Sequence, residues 1–182
     1  MLVAAARSGD RVALEALLRA HQDRLFAVCR RLTGSDADAA DALQETMIGI
    51  VRGISSFDGR SSFATWSYRV AVNASLDEVR ARSRRPAPGL PEGDGGTQAD
   101  RADGVAQRLD LDAALLLLTP EHRAAVVLRD VCQLDYSEIA KVVGVPLGTV
   151  RSRIARGRAA LVSILGGEPA VVGGSAARGT PQ

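Results

Sequence analysis

A glycine and a proline two positions apart, Gly144 and Pro146, separate two helical patterns of very different character. Upstream, Asp135-Tyr136-Ser137-Glu138-Ile139-Ala140-Lys141-Val142-Val143 has the spacing of a short helix. Asp135 can cap it, and Glu138 three residues on comes close to a capping-box pattern. Gly144 ends it, because glycine enters the left-handed conformation without a Cβ clash. Pro146 suits the first position of the next helix, where a missing N–H is no loss. That helix runs Gly148-Thr149-Val150-Arg151-Ser152-Arg153-Ile154-Ala155-Arg156-Gly157-Arg158. At about 100° per residue, Thr149, Ser152, Arg153 and Arg156 share one face, and Val150, Ile154 and Leu161 share another. Arg151 and Arg158 flank the apolar stripe, within sideways reach of phosphates. Short helix, glycine turn and arginine-bearing helix form the helix-turn-helix arrangement, whose second helix enters the major groove of DNA. The guanidinium fork fits both phosphate oxygens and the O6/N7 edge of guanine. Alone, an arginine-rich amphipathic helix reads better as a solvated face packed on a neighbour. The capped helix and the glycine in front of it turn the reading to DNA.

The rest of the chain reads as helix as well. Leu14, Leu17, Leu18, His21, Leu25, Val28 and Leu32 recur at helical spacing up to Gly34. Ser35 can cap a second helix that turns Leu43, Met47 and Ile50 inward and stops near Gly53. After the loop Phe57-Asp58-Gly59-Arg60-Ser61-Ser62, a third long helix runs from Phe63 to about Arg82. Residues 86–104 are rich in Pro, Gly and Asp and poor in large apolar side chains, the composition of a flexible linker. Helical pattern resumes with Leu109, Leu111, Leu115 and Leu118, and Thr119-Pro120-Glu121 is a strong helix start. The Gly-, Ala- and Pro-rich segment 166–182 is expected to be a disordered tail. No segment shows sustained strand alternation. The expected fold is all-α: a first domain over 1–85, the linker, and a helix-turn-helix domain over 105–165.

Charge is distributed more tellingly than its net value of +2 suggests. Arg80, Arg82, Arg84 and Arg85 cluster, as do Arg151 to Arg158, while Asp36, Asp38, Asp41 and Glu45 gather on another helix. Asp38, Asp41 and Glu45 fall at i, i+3 and i+7 with Gln44 adjacent, a face that suits a basic partner surface, although such charge runs are usually just solvated. Cys29 and Cys132 stand far apart, and neither makes a metal-ligand spacing with His21 or His122. Both read as buried, inert thiols, and the histidines as surface or helix-edge residues. There is no P-loop, nucleophile elbow or paired acid and base, so the chain is read as non-enzymatic and without a cofactor or metal. No apolar run is long enough to span a membrane and no secretory signal pattern opens the chain, so a cytoplasmic location is expected.

In these motifs the chain resembles the extracytoplasmic-function, or group 4, sigma factors of bacterial RNA polymerase, within the sigma-70 family. Asp38-Ala39-Ala40-Asp41-Ala42-Leu43-Gln44-Glu45-Thr46 is similar to the family's core-binding segment. Phe57 through Trp66 and Tyr68-Arg69-Val70-Ala71-Val72-Asn73 resemble its promoter-melting and minus-10 segment. Tyr136-Ser137-Glu138-Ile139-Ala140 and Gly148 through Arg153 resemble its minus-35 reader. The resemblance implies an alternative sigma factor that binds core polymerase and directs promoter-specific initiation. It assigns core binding to Asp38, Asp41, Gln44 and Glu45, with the beta-prime clamp helices and the beta flap as polymerase contacts. It assigns minus-10 recognition to Arg60, Ser61, Ser62, Phe63, Trp66, Arg69, Asn73, Arg80, Arg84 and Arg85. Minus-35 recognition falls to Thr149, Ser152, Arg153 and Arg156, with Arg151 and Arg158 on phosphates. The implied partners are polymerase, promoter DNA and an anti-sigma factor, with no membrane insertion by the chain itself. Ser67 stands where the family usually carries an apolar residue beside the Trp, and Val72 where a basic residue is frequent. With three Phe, two Tyr and one Trp, aromatic equipment for strand opening is sparse, so a restricted promoter set is expected.

Two other readings fit parts of the pattern. One is a stand-alone helix-turn-helix regulator with a ligand- or partner-sensing first domain. The other is a protein-interaction module in which both domains grip an inhibitor, and it overlaps the sigma-factor reading.

Overall fold

Asp10, Ser35 and Thr119 each turn a side-chain oxygen onto the backbone N–H two or three residues ahead, and a helix starts after each. In the structure, a computed structural model that describes residues 1–84 and 111–166, all regular elements are helical. They are α1 (Leu2–Arg7), α2 (Arg11–Thr33), α3 (Asp36–Gly53), α4 (Phe63–Arg84), α5 (residues 111–116), α6 (Pro120–Val126), α7 (Tyr136–Val143) and α8 (Leu147–Leu165). A 3-10 turn, Ile54–Ser56, follows α3, and a π-helical stretch, Val127–Val131, continues α6. The expected all-α architecture is what the chain adopts. The linker 86–104 and all of the tail beyond Gly166 lie outside the described residues.

Helices α2, α3 and α4 pack around Leu17, Leu25, Val28 and Leu32 from α2, Ala39, Ala42 and Ile50 from α3, and Ala71 and Val72 from α4. The alanines let the helix axes approach closely, and the long aliphatic side chains fill the centre. The Cys29 thiol is buried in this core, and desolvation pushes its pKa up, offset in part by the Ser75 and Thr46 hydroxyls. In the second group of helices, α6 crosses α8 at Gly157, where a Cβ would lie 2.7 Å from a Val126 methyl. Val126, Val127, Leu128, Ile139, Val142, Val150 and Ile154 make its core.

Several local expectations need correction. Pro146 is the N-cap of α8, with ψ 148°, and the helix proper begins at Leu147. Proline's fixed φ serves that position as well as the first turn. Leu43 and Met47 are only half-buried, and Ile50 alone of the three is fully inward. Val126, Val127 and Leu128 are buried, and α6 widens there into the π-helix, in which Cys132 N–H reaches back to the Val127 carbonyl. Gln133 then takes a positive φ of 59° to start the turn into α7.

Candidate nucleic-acid and partner interfaces

The α8 helix is held from one side only. Val150 and Ile154 are 0% and 2% exposed, while Arg151 and Arg156 are exposed and Thr149, Ser152 and Arg153 half-buried. The preceding turn has the expected geometry: Asp135 accepts from the Glu138 N–H, Glu138 accepts from the Asp135 N–H, and Gly144 is left-handed with φ 68°. The Asp135 carboxyl is held below its ordinary range by the Glu138 N–H and then by the Ser137 hydroxyl. The structure therefore carries a helix-turn-helix whose anchoring face is sealed and whose outward face offers Thr149, Ser152, Arg153 and Arg156.

The two flanking arginines have partners within the chain. Arg158 sets its guanidinium fork on both carboxylate oxygens of Asp130, with Nε to Oδ2 at 3.1 Å. That pair pushes the Arg158 pKa above its ordinary value. Arg151 lies over the Tyr136 ring at 5.9 Å, and Arg129 lies at 5.1 Å from the same ring.

The second candidate interface is the loop into α4. Ser62 caps the helix by accepting from the Thr65 N–H at 3.0 Å, which aims the first turn. Phe57, Phe63 and Trp66 form one aromatic cluster, with Trp66 at 5.2 Å from Phe57 and 5.7 Å from Phe63 between ring centroids. His21 meets Phe63 edge-on from α2, so this histidine supports the cluster. Phe57 and Phe63 are buried, and half-buried Trp66 faces a cleft of about 350 Å³ with Arg60, Ser61 and Arg69. Asn73 is exposed two turns along α4 from Trp66. Ser67 is fully buried, and its hydroxyl donates to the Ala64 carbonyl at 2.9 Å, which satisfies a polar group where an apolar one is usual. Arg80 pairs with Asp77 at 3.1 Å, Arg84 is exposed at the helix end, and Arg85 lies outside the described residues.

The acidic helix divides. Asp41, Gln44 and Glu45 are exposed on α3, whereas Asp38 is turned to Arg82 of α4 and its side chain is 17% exposed. Between α2 and α3 lies a groove of about 620 Å³, floored by Leu18, Phe26, Leu43 and Met47 and edged by Gln22, Asp23 and Gln44. The sequence reading took up the acidic rim and missed this apolar floor. Its signal was present: Leu18, Leu43 and Met47 are more apolar residues than one inward stripe requires.

No described helix is long and apolar enough to cross a membrane. Comparison with known proteins divides the chain where the fold does. Residues 17–85 match the family model Sigma-70 region 2, and residues 108–161 match Sigma-70, region 4. The chain is 42% identical over 160 residues to the ECF RNA polymerase sigma factor SigE of Mycolicibacterium smegmatis, covering 83% of this chain and 62% of that protein. It is 39% identical over 165 residues to the ECF RNA polymerase sigma factor SigM of Mycobacterium tuberculosis, covering 91% of this chain and 83% of that protein. Among solved structures, CnrH in complex with the cytosolic domain of CnrY aligns with a TM-score of 0.70 at 25% identity, over 92% of this chain and 97% of CnrH.

Proposed function

The chain belongs to the extracytoplasmic-function sigma factors of the sigma-70 family, and on that premise we propose how its surfaces divide the work of promoter-specific initiation. The α2–α3 groove takes a helical, basic-edged element of core polymerase. Leu18, Phe26, Leu43 and Met47 supply the apolar contact, and Asp41 and Glu45 steer the approach. This occupant is the clamp-helix region of the beta-prime subunit. The beta flap is the contact of the second domain.

The recognition helix α8 enters the major groove of the minus-35 element. Arg153 and Arg156 read base edges, Thr149 and Ser152 fill in beside them, and Arg151 lies along the phosphates. The aromatic loop handles the minus-10 element. An unpaired base can stack against Trp66 in the cleft while Arg60, Arg69 and Asn73 hold backbone or base edges. Arg80 and Arg84 add sequence-independent affinity that falls with salt. A protein inhibitor of the anti-sigma class is the further partner, and the solved complex of CnrH with a second protein supports it.

The observation that carries this reading is α8: a sealed anchoring face, an open arginine face and a capped glycine turn in front. The test is transcription in vitro by core polymerase from a library of genomic fragments, with and without the chain. The expected outcome is initiation at a small fragment set sharing two separated motifs, only when the chain is present. Uniform initiation with and without it would remove the assignment.

A further inference from the structure

Arg151 and Arg158 flank the same apolar stripe of α8, and the chain treats their charges differently. Both carboxylate oxygens of Asp130 take the Arg158 fork, which compensates that charge inside the molecule. Arg151 is exposed, and among the described residues no carboxylate pairs with it. Its neighbour is the Tyr136 ring, with the guanidinium carbon 5.9 Å from the ring centroid. A ring face attracts a cation through its quadrupole and occupies none of its N–H donors. Held that way, Arg151 keeps its donors and its full charge for a ligand outside the chain.

The ring is itself fixed. Tyr136 is the first residue of α7 and is half-buried against core side chains. Just before it, the Asp135 carboxylate accepts from the Glu138 N–H and from the Ser137 hydroxyl, both at 2.8 Å. Oε2 of Glu138 accepts from the Asp135 N–H at 3.0 Å. These bonds leave the backbone at Tyr136 little freedom, so its side chain leaves α7 in a set direction. Half-buried Arg129 lies 5.1 Å from the ring centroid, and its Nη1 donates to the Leu134 carbonyl at 2.8 Å, which ties it to the turn before α7. The two guanidinium charges repel, which biases exposed Arg151 away from the tethered Arg129.

We infer that Tyr136 is a positioning residue for duplex binding by α8: its ring face holds the Arg151 guanidinium at the flank of the helix, uncompensated and directed to a DNA phosphate. This rests on the assignment of α8 to the minus-35 duplex. The ring does for Arg151 what Asp130 does for Arg158, with the opposite consequence. A carboxylate fixes an arginine and cancels much of its pull on an outside anion. A ring fixes it and leaves the charge in place. A side chain already held near its bound position also loses less freedom when the phosphate arrives. The Tyr136 hydroxyl has no part in this, so a phenylalanine would serve as well and a leucine would not.

The experiment is a double-mutant cycle on the full chain, reading its affinity for a short duplex of mixed sequence at low salt, where phosphate contacts dominate. Tyr136→Leu should weaken binding about two- to fivefold, and Arg151→Ala at least as much. In the Arg151→Ala background, Tyr136→Leu should change nothing further, because the ring acts only through that guanidinium. Tyr136→Phe should bind as the wild type does. Without DNA, the Arg151 Nε–H proton, assigned by its loss in Arg151→Ala, should show an upfield ring-current shift in the wild type and in Tyr136→Phe. Tyr136→Leu should lack that shift. If Tyr136→Leu does not fold, the wild-type shift and the affinity of Tyr136→Phe decide. An equal loss from Tyr136→Leu in the Arg151→Ala background would overturn the inference. So would a loss in Tyr136→Phe as large as in Arg151→Ala, or an unshifted Arg151. None of these measurements uses polymerase, and initiation from the fragment library bears on the sigma-factor reading only, so the two can fail separately.

Discussion

Helix α8 and the aromatic loop at Trp66, the two surfaces proposed to read nucleic acid, are built in different ways. α8 is anchored by a continuous apolar stripe, Val150, Ile154 and Leu161, and its outer face carries exposed Arg156 beside half-buried Thr149, Ser152 and Arg153. The aromatic loop is steadied by ring-on-ring contacts and by a hydroxyl-to-carboxylate bond from the other domain, and half-buried Trp66 faces a cleft with Arg60 and Arg69 exposed beside it. Duplex DNA presents its information on the outside, so a rigid helix can take it. An unpaired base must be caught and stacked, which asks for an aromatic surface at the edge of a cleft.

Four substitutions test this contrast, in descending order of expected effect. Ile154→Ala removes the anchor of the helical reader and leaves a cavity beneath α8. It should destabilise the second domain by about 2–5 kcal/mol, read in thermal unfolding, and leave the first domain's transition in place. A single transition shifted as a whole would mean that the two readers fold as one unit. Next come the readers themselves. Arg153→Ala or Arg156→Ala should weaken promoter duplex binding by about 1–3 kcal/mol and relax sequence preference at one position. Trp66→Ala should leave duplex binding by α8 intact and cost about 1–3 kcal/mol in binding an opened strand. Loss of both activities in either variant would break the division of labour.

Smaller effects sharpen it. Asp41→Lys with Glu45→Lys should slow association with core polymerase about tenfold at low salt and less at high salt, as steering charges do. Asp38→Asn should change that rate little, because Asp38 is already paired with Arg82. The smallest effect belongs to Arg158, which the structure ties to Asp130 as a brace for α8. Both side chains are more than a third exposed, so Arg158→Ala should cost no more than about 1 kcal/mol of stability. It should leave the salt dependence of DNA binding unchanged. A salt slope lower by about one phosphate would instead restore Arg158 to the backbone contacts.

What was legible in the sequence is what is decided within a turn or two of helix. The Asp135 capping box, the left-handed Gly144 and the two faces of α8 depend on neighbours three to seven positions away, and each is found where it was expected. Pro146 missed by one position because its fixed φ fits both the cap and the first turn. What could not be read depends on distant partners. Thr65 meets Glu138 across 73 positions, and Arg82 draws Asp38 out of the acidic face across 44. Arg123 carries no local sign of burial in the sequence, and only the packing of α6 against the end of α2 buries it. The π-helical stretch has no period of its own in the sequence, since Val126, Val127 and Leu128 suit a buried α-helix equally. Leu43 and Met47 followed the inward stripe in pattern but floor a surface groove in space.

The central claim is that this chain makes polymerase open DNA at chosen sites, with α8 placing the complex and the aromatic loop taking the unpaired strand. Permanganate reactivity of thymines on a promoter fragment recovered from the library tests it most directly. With core polymerase and the chain together, a short unpaired segment should appear just upstream of the start site, and neither component alone should produce it. Protection of the duplex by the chain alone, with no unpaired thymines when polymerase is added, would contradict the account and leave a stand-alone helix-turn-helix regulator in its place.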